Sequence, residues 1–452
     1  MNIRTYVLAI SFVFILFSPS FGEKGTLLPA EASSESVHGS GPLTLQESIE
    51  IALQKNPTLQ AAQSAIKEAK YRRMAAVSDF LPQVSTQYSY TRLDEAPYFG
   101  VPPFIPPTQV GTRDIYNWSS TVTQPVFTGG ALINNYLLAD LGVDTAKVEF
   151  ERTRLDLILS VKEAYYGVLT AEKGVEVAQQ AVAQLESNLS VAQAFFDVGM
   201  TAKNDLLQVE VSMAQARQYL ISAQNALEMA KAVFNTLLRR DINETVVLVE
   251  ILEYIPMTID MDRFIEEAYQ ERPELKVGEL GVKSANRGVG LAASGLFPQA
   301  HIVFNYERQG DDYTVNGSRF EPDADSWSVM GVAQWNVWDW GKTWWGVGEH
   351  KAKVFQAQCA LEEIKDGVRL EVQGASLALT EAEENIQVAE TAVSQAEENF
   401  RINEERYKGQ VATSTDVLNA LTLLTQARTN YYRALSDYNI AKARLQRAIG
   451  RR

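Results

Sequence analysis

Ala164, Val168, Ala171, Val175, Ala178, Val182, Leu185, Leu189, Ala192 and Phe196 recur at alternating spacings of four and three through an otherwise polar stretch. This is the heptad seam of a helix packed along its full length. Adding 211 to each number reproduces the seam at Ala375, Leu379, Ala382, Ile386, Ala389, Val393, Ala396, Phe400, Asn403 and Tyr407, with Asn403 the single polar intrusion. A second seam begins at Leu206 and runs through Val209, Met213 and Ala216 to Leu237, and its copy begins at Val417 and ends at Ala448. Alanine at alternate seam positions lets backbones approach closely, so the pattern predicts long antiparallel helical hairpins. Their first helices, about 131–198 and 342–408, span on the order of 100 Å at 1.5 Å per residue, more than a globular domain can hold.

Between a shorter helix in each half, about 44–78 and 260–294, and the long one, the period changes to two. Val84, Thr86, Tyr88 and Tyr90 fall on one face, against Gln83, Ser85, Gln87 and Ser89. Residues 116–127, 299–308 and 326–338 alternate in the same way, with Trp118, Val122, Ile302, Phe304, Tyr306, Trp327, Val329 and Trp335 on the apolar faces. Strands of about ten residues with aromatics toward their ends match membrane-spanning β-strands; four amphipathic strands on a soluble core are the alternative. Asn316-Gly317 predicts a type I′ turn between the third and fourth strands. The proline-rich segment 95–114 predicts a surface loop between the first two. Four strands cannot close a barrel, and lipid tolerates no open edge. A spanning sheet therefore pools strands from several chains, eight from two copies or twelve from three.

The helices and strands belong to an internal repeat. Pro57/Pro273 and Pro82/Pro298 are each 216 residues apart, and later positions keep the offset of 211. Two units, 43–240 and 260–450, are versions of one pattern, joined by 241–259. At the N-terminus, Arg4 precedes an apolar run from Tyr6 to Phe17, which predicts an export signal over 1–22, cleaved after Gly22 and followed by a linker over 23–42. No later segment reaches 18 uninterrupted apolar residues.

Composition narrows the chemistry. With 41 Lys+Arg against 56 Asp+Glu and a net charge of −15, no basic cluster can track a phosphate backbone, so nucleic acid is excluded as a partner. Cys359 is the single cysteine and His38, His301 and His350 are scattered, which leaves no Cys/His metal site or nucleophile. Cys359 falls in a long helix and reads as a small packed residue. "GKT" at Gly341 lacks the glycine a phosphate loop needs five residues earlier, where Asn336 stands. The acidic run Asp311, Asp312, Glu321, Asp323 and Asp325 reads as a solvated loop, with a divalent cation as its alternative. The eight methionines form no cluster that would handle copper.

Two stretches carry the remaining signal. "FFDVGMTAKNDLL" from Phe195 and "RYKGQVATSTDVL" from Arg406 both pass from aromatic through glycine to Asp and Leu. Gly199 and Gly409 stand where the long helices end, so a left-handed C-cap is expected at each. Asp205 and Asp416 enter the first turn of the returning helices, and Thr413 to Asp416 has capping-box spacing. Helix-dipole and cap stabilisation is one account of both aspartates, and rings of carboxylates that bias a pore toward cations are the other.

With "FLPQ" and an "NP.L" motif early in the chain, "QPVFTGG" at Gln124 and the tip "VGMTAKNDLL", the chain resembles the TolC-type outer-membrane efflux protein family over nearly its whole length beyond the signal. The resemblance implies a mixed fold, in which a twofold repeat of long α-helical hairpins forms a periplasmic tunnel. Four strands per chain then build a trimeric twelve-stranded transmembrane β-barrel. It implies a homotrimer in outer-membrane lipid, a periplasmic adaptor protein, an inner-membrane pump of RND or ABC type, no cofactor and no catalysis. It also implies a gate at Asp416 with Asn419 one turn on, Asp205 and Gln208 in the first half, and Tyr407. Adaptor contacts are expected at Val198, Gly199, Met200, Thr201, Gly409, Gln410 and Val411. The second tip departs from the family pattern, with Gln410 in the usual glycine position, Asn419 where some relatives carry a second acid, and Ala412 where some carry arginine. An exported coiled-coil scaffold without a pore is the reading from another class.

Overall fold

The computed structural model describes residues 41–101 and 103–451. The export signal and all but the end of the linker lie outside them. From Leu43 onward the chain forms one unit, in the order α1 (Leu45–Lys55), α2 (Pro57–Ser78), β1 (Gln83–Arg92), β2 (Tyr98–Val101), β3 (Ile105–Gln109), β4 (Asp114–Phe127), α3 (Ala131–Asp197) and α4 (Lys203–Leu238) for the first repeat. The second repeat follows as α5 (Met261–Glu271), α6 (Pro273–Ala293), β5 (Gln299–Gly310), β6 (Asp325–Gln334), α7 (Lys342–Lys408) and α8 (Ser414–Ala448).

Each short helix expected as one piece is two. Asn56 ends α1 by donating its backbone N–H to the Ala52 carbonyl, and then caps α2 by accepting from Thr58 N at 2.9 Å. Pro57 starts α2 where no N–H is needed, and it keeps the preceding residue extended. Arg272 and Pro273 repeat the break between α5 and α6, with Arg272 N–H donating to the Ala268 carbonyl but its side chain not capping α6.

The long helices α3 and α7 have 67 residues each. The two hairpins, α3 with α4 and α7 with α8, join through contact between α3 and α8, while α2 packs on α3, and α6 on both α3 and α7. The seams are where the sequence puts them: Val168, Ala178, Leu185 and Ala192 on α3, and Leu379, Ala382, Ile386 and Ala389 on α7, are buried. Cys359, expected to be packed, is exposed on α7. It lies on a helix surface that a single copy leaves uncovered.

The four main strands form one antiparallel sheet in the order β1-β4-β5-β6. Register places Tyr88 opposite Trp118, Val122 opposite Phe304, and Tyr306 opposite Trp327. One face is therefore apolar and aromatic. The other carries Gln87, Asn117, Thr121, Asn305 and Glu307, with Thr121 donating to Asn305 at 2.9 Å and Asn117 to Glu307. Trp335 lies just past the end of β6 rather than within it, and its indole N–H donates to the Leu296 carbonyl.

Two connections differ from expectation. Between β5 and β6, positive φ occurs at Val315 and Gly317 but not at Asn316, so no type I′ turn forms. Asn316 instead accepts from Arg308 at 2.7 Å, and β6 begins only at Asp325, too far on for a two-residue turn. The proline-rich segment expected to be a loop contains the small hairpin β2–β3. Pro106 and Pro107 fall at its register shift, where the ladder requires no N–H.

At the level of α5 and α6 the helices are tied by charge. Arg272, 3% exposed, meets both carboxylate oxygens of Glu274 at 3.1 Å and Glu371 at 2.5 Å. Arg447 in turn meets Glu274 at 2.6 Å and Asp156 at 2.8 Å. Helices α3, α6, α7 and α8 thus share one ionic knot. In the first repeat the positions offset from Arg272, Glu274, Glu371 and Arg447 hold the neutral Asn56, Thr58, Ser160 and Thr236. There the fully buried Tyr165 hydroxyl lies 3.0 and 2.8 Å from the carbonyls of Leu43 and Val249, and burial pushes its pKa up to about 12.

Candidate functional site

The tip residues come together at the end of the hairpins remote from the sheet. At the first tip, Met200 N donates to the Phe195 carbonyl and Gly199 N to that of Phe196, with Gly199 at φ +76°, a Schellman cap. At the second, Val411 N donates to Arg406 and Gln410 N to Tyr407, with Gln410 at φ +61°. The expected left-handed glycine at 409 is thus corrected: Gly409 has φ −82°, and the repeat offset carries the left-handed role from Gly199 to Gln410. Gly199→Ala should cost about 1–2 kcal/mol, because a Cβ there is strained. Gly409→Ala should stay within about 0.5 kcal/mol of native, and Gln410→Gly should stabilise by up to about 1 kcal/mol. Helix melting by circular dichroism reads all three. Equal losses at 199 and 409 would contradict the cap assignment.

The two aspartates have different surroundings. Asp416 closes a capping box: its Oδ2 accepts from Thr413 N at 2.9 Å and Thr413 Oγ1 at 2.8 Å, while Thr413 Oγ1 accepts from Asp416 N. The Thr413 backbone and hydroxyl bonds hold its pKa below the ordinary aspartate range, with a further contribution from the Arg406 charge. It is exposed, as is Asn419. Asp205 lies in the first turn of α4 without capping it, and accepts from Thr201 Oγ1 at 2.9 Å.

Three links draw the tips side by side. Tyr407 packs edge-on against Phe195, ring centroids 5.6 Å apart. Thr415 donates to Gln208 Oε1 at 3.1 Å, and the Gln410 amide reaches Met200 Sδ at 3.5 Å. Tyr407 is buried and its hydroxyl finds no partner among the described residues, so packing alone holds it. Burial, and then the Asp205 charge, raise its pKa. Val198, Met200 and Val411 are exposed at the extreme end.

Sequence reasoning missed a further link. Arg428 bonds Glu397 at 2.7 Å and reaches Gln180 of the other hairpin at 2.5 Å. Its signal was present: Glu186 and Arg217 pair at 3.2 Å, and both recur 211 residues on as Glu397 and Arg428. Among the described residues no cluster of His, Cys, Asp or Glu could hold a metal, and Asp312 of the acidic loop is engaged with Thr314.

A family model described as outer membrane efflux protein matches residues 48–238 and 264–451. The chain is 21% identical over 428 residues to the outer membrane efflux protein BepC of Brucella suis biovar 1 (strain 1330), covering 94% of this chain and 88% of that one. It is 22% identical over 308 residues to the outer membrane protein TolC of Vibrio cholerae, covering 68% and 70%. Among solved structures, the CmeC outer membrane channel of Campylobacter jejuni superposes with a TM-score of 0.78 at 16% identity, covering 90% of this chain and 85% of that one.

Proposed function

Because the chain belongs to the outer membrane efflux protein family, and so to the outer membrane, we propose that three copies close their sheets into one twelve-stranded barrel continued by a helical duct. The observation that carries this is the sheet itself. It has one apolar face and one polar face, and its outer strands β1 and β6 each leave an edge unpaired. Lipid accepts the first face, water the second, and only another copy satisfies the edges. Three copies leave a lumen where two would fill it with side chains.

The duct performs no chemistry and passes cargo delivered by an inner-membrane pump through a periplasmic adaptor. The exposed Val198, Met200 and Val411, with Gly199, Thr201, Gly409 and Gln410 shaping the turns, are the adaptor's contact. Asp416, Asn419, Asp205 and Gln208 line the closing aperture. Tyr407, Thr415 and Gln410 hold the two hairpins in register across it, so separating these links opens the end.

The test is oligomeric state together with conductance. Protein from the outer-membrane fraction should migrate as a heat-dissociable trimer in mild detergent and give discrete openings in a planar bilayer. A monomer in the soluble periplasmic fraction, giving no openings, overturns the reading in favour of a scaffold.

A further inference from the structure

The chemistry of the chain changes at the end of the sheet that joins the helices. Five of its seven tryptophans lie between β6 and the first turn of α7: Trp335, Trp338, Trp340, Trp344 and Trp345, from 56% to 86% exposed. Positions 211 earlier hold Gln124, Phe127, Gly129, Ile133 and Asn134, so the second repeat alone supplies the cluster. Trp335 continues the alternation of the apolar face, and the other four indole N–H groups find no acceptor among the described residues.

Beneath them the exposed charge is positive. Lys67 and Lys70 on α2, Lys283 and Arg287 on α6, and Lys342 and Lys351 on α7 are exposed and have no ion pair among the described residues. All lie within about 17 Å of the helix ends that meet the sheet. Of the neighbouring acids, Glu68 pairs with Arg72, Asp140 with Arg73 and Glu349 with Lys353, and Asp339 accepts from Thr343, which leaves the exposed Asp79 at the end of α2 as the acid without a cation partner among the described residues. In a chain of net charge −15 this is a local reversal of sign.

We infer that this collar binds anionic phospholipid headgroups of the periplasmic leaflet. The indoles sit at the acyl–headgroup boundary, and the lysine and arginine heads extend along their stems to the phosphodiesters. Continuity with the apolar sheet face sets the depth, and the sign of the collar selects the lipid. The inference rests on the sheet being the membrane span.

The test uses tryptophan quenching by brominated lipids in vesicles. In the full chain carrying Trp118→Phe and Trp327→Phe, brominated phosphatidylglycerol should quench the remaining indoles about twofold more than brominated phosphatidylcholine at low salt. The difference should vanish in 1 M salt. It should also vanish with Lys70→Gln, Arg287→Gln, Lys342→Gln and Lys351→Gln. Equal quenching by both lipids at low salt overturns the headgroup preference. Quenching of Trp118 and Trp327 in the native chain but not of the collar shows a neighbouring copy covering it, which overturns the inference and leaves the span intact. Absence of quenching in the native chain by either lipid removes the membrane reading and this inference with it.

Discussion

Replacing Arg272 with methionine should lower the stability of the folded chain by about 2–3 kcal/mol, because the half-buried Glu274 carboxylate loses its nearest counter-charge while the more exposed Glu371 falls back on water and Arg447. Arg272 is 3% exposed and supplies two of the bonds to Glu274 and one to Glu371. Once it is gone, Arg447 alone answers for Glu274, Glu371 and Asp156. The double variant Arg272→Met, Glu274→Leu should recover most of the loss, since an apolar pair of similar volume needs no counter-charge. Glu274 also gives the knot a pH signature. Burial pushes its pKa up, but the bonds and charge of Arg272, with the charge of Arg447, bring it down to about 2. A carboxylate lowered in the folded state stabilises fully above its ordinary value near 4.5 and loses that contribution as pH falls toward 2. The native chain should therefore lose about 2 kcal/mol from this group between pH 7 and pH 3, and Glu274→Gln should flatten the profile there. Helix melting in detergent at pH 7 and pH 3 measures both. A single-variant loss below about 1 kcal/mol would show the knot to be dispensable.

Asp416→Asn and Asp416→Ala should both weaken block of the conducting pore by trivalent cations more than about tenfold, because in the trimer proposed above three Asp416 carboxylates would ring the aperture and attract such an ion strongly. The two variants part on stability. Asparagine can still accept from Thr413 N and keeps the capping box, whereas alanine releases it and should lower the melting temperature by about 1–3 °C. Conductance with and without added cation, set beside the melts, separates charge from cap. Unchanged block in both variants would reduce Asp416 to a helix-start residue. The lowered pKa of Asp416 adds that cation block in the native chain should persist into more acidic solution than an ordinary aspartate would allow.

What could be read from the chain alone was whatever repeats. The seams of α3, α4, α7 and α8 are periodic over dozens of residues, and the strands announced their faces by strict alternation, so element type and both hairpins were legible. The capping box at Thr413 was legible because two residues three positions apart, Thr413 and Asp416, carry it. The ionic knot was not: beyond the local pair Arg272 and Glu274, its members Asp156, Glu371 and Arg447 come from separate helices and share no local spacing. The breaks at Asn56 and Arg272 had a visible cause in the prolines that follow, yet unbroken helical periodicity on either side masked them. The β2–β3 hairpin defied its proline content because a two-stranded sheet asks less of its edges than a central strand would. At the second tip, residue identity pointed to Gly409 while the repeat offset pointed to Gln410, and backbone geometry followed the offset.

The equal length of α3 and α7 has a consequence for how such chains can diverge. An insertion confined to one hairpin would set its tip deeper than the other and part Tyr407 from Phe195 and Thr415 from Gln208. An insertion out of step with the helical repeat, such as two or five residues, would rotate the seam residues beyond it off their neighbours. The duct therefore lengthens by matched insertions in both arms of both hairpins, in steps such as seven or eleven residues that return the seam to its face. Its reach is inherited as a single quantised trait rather than residue by residue.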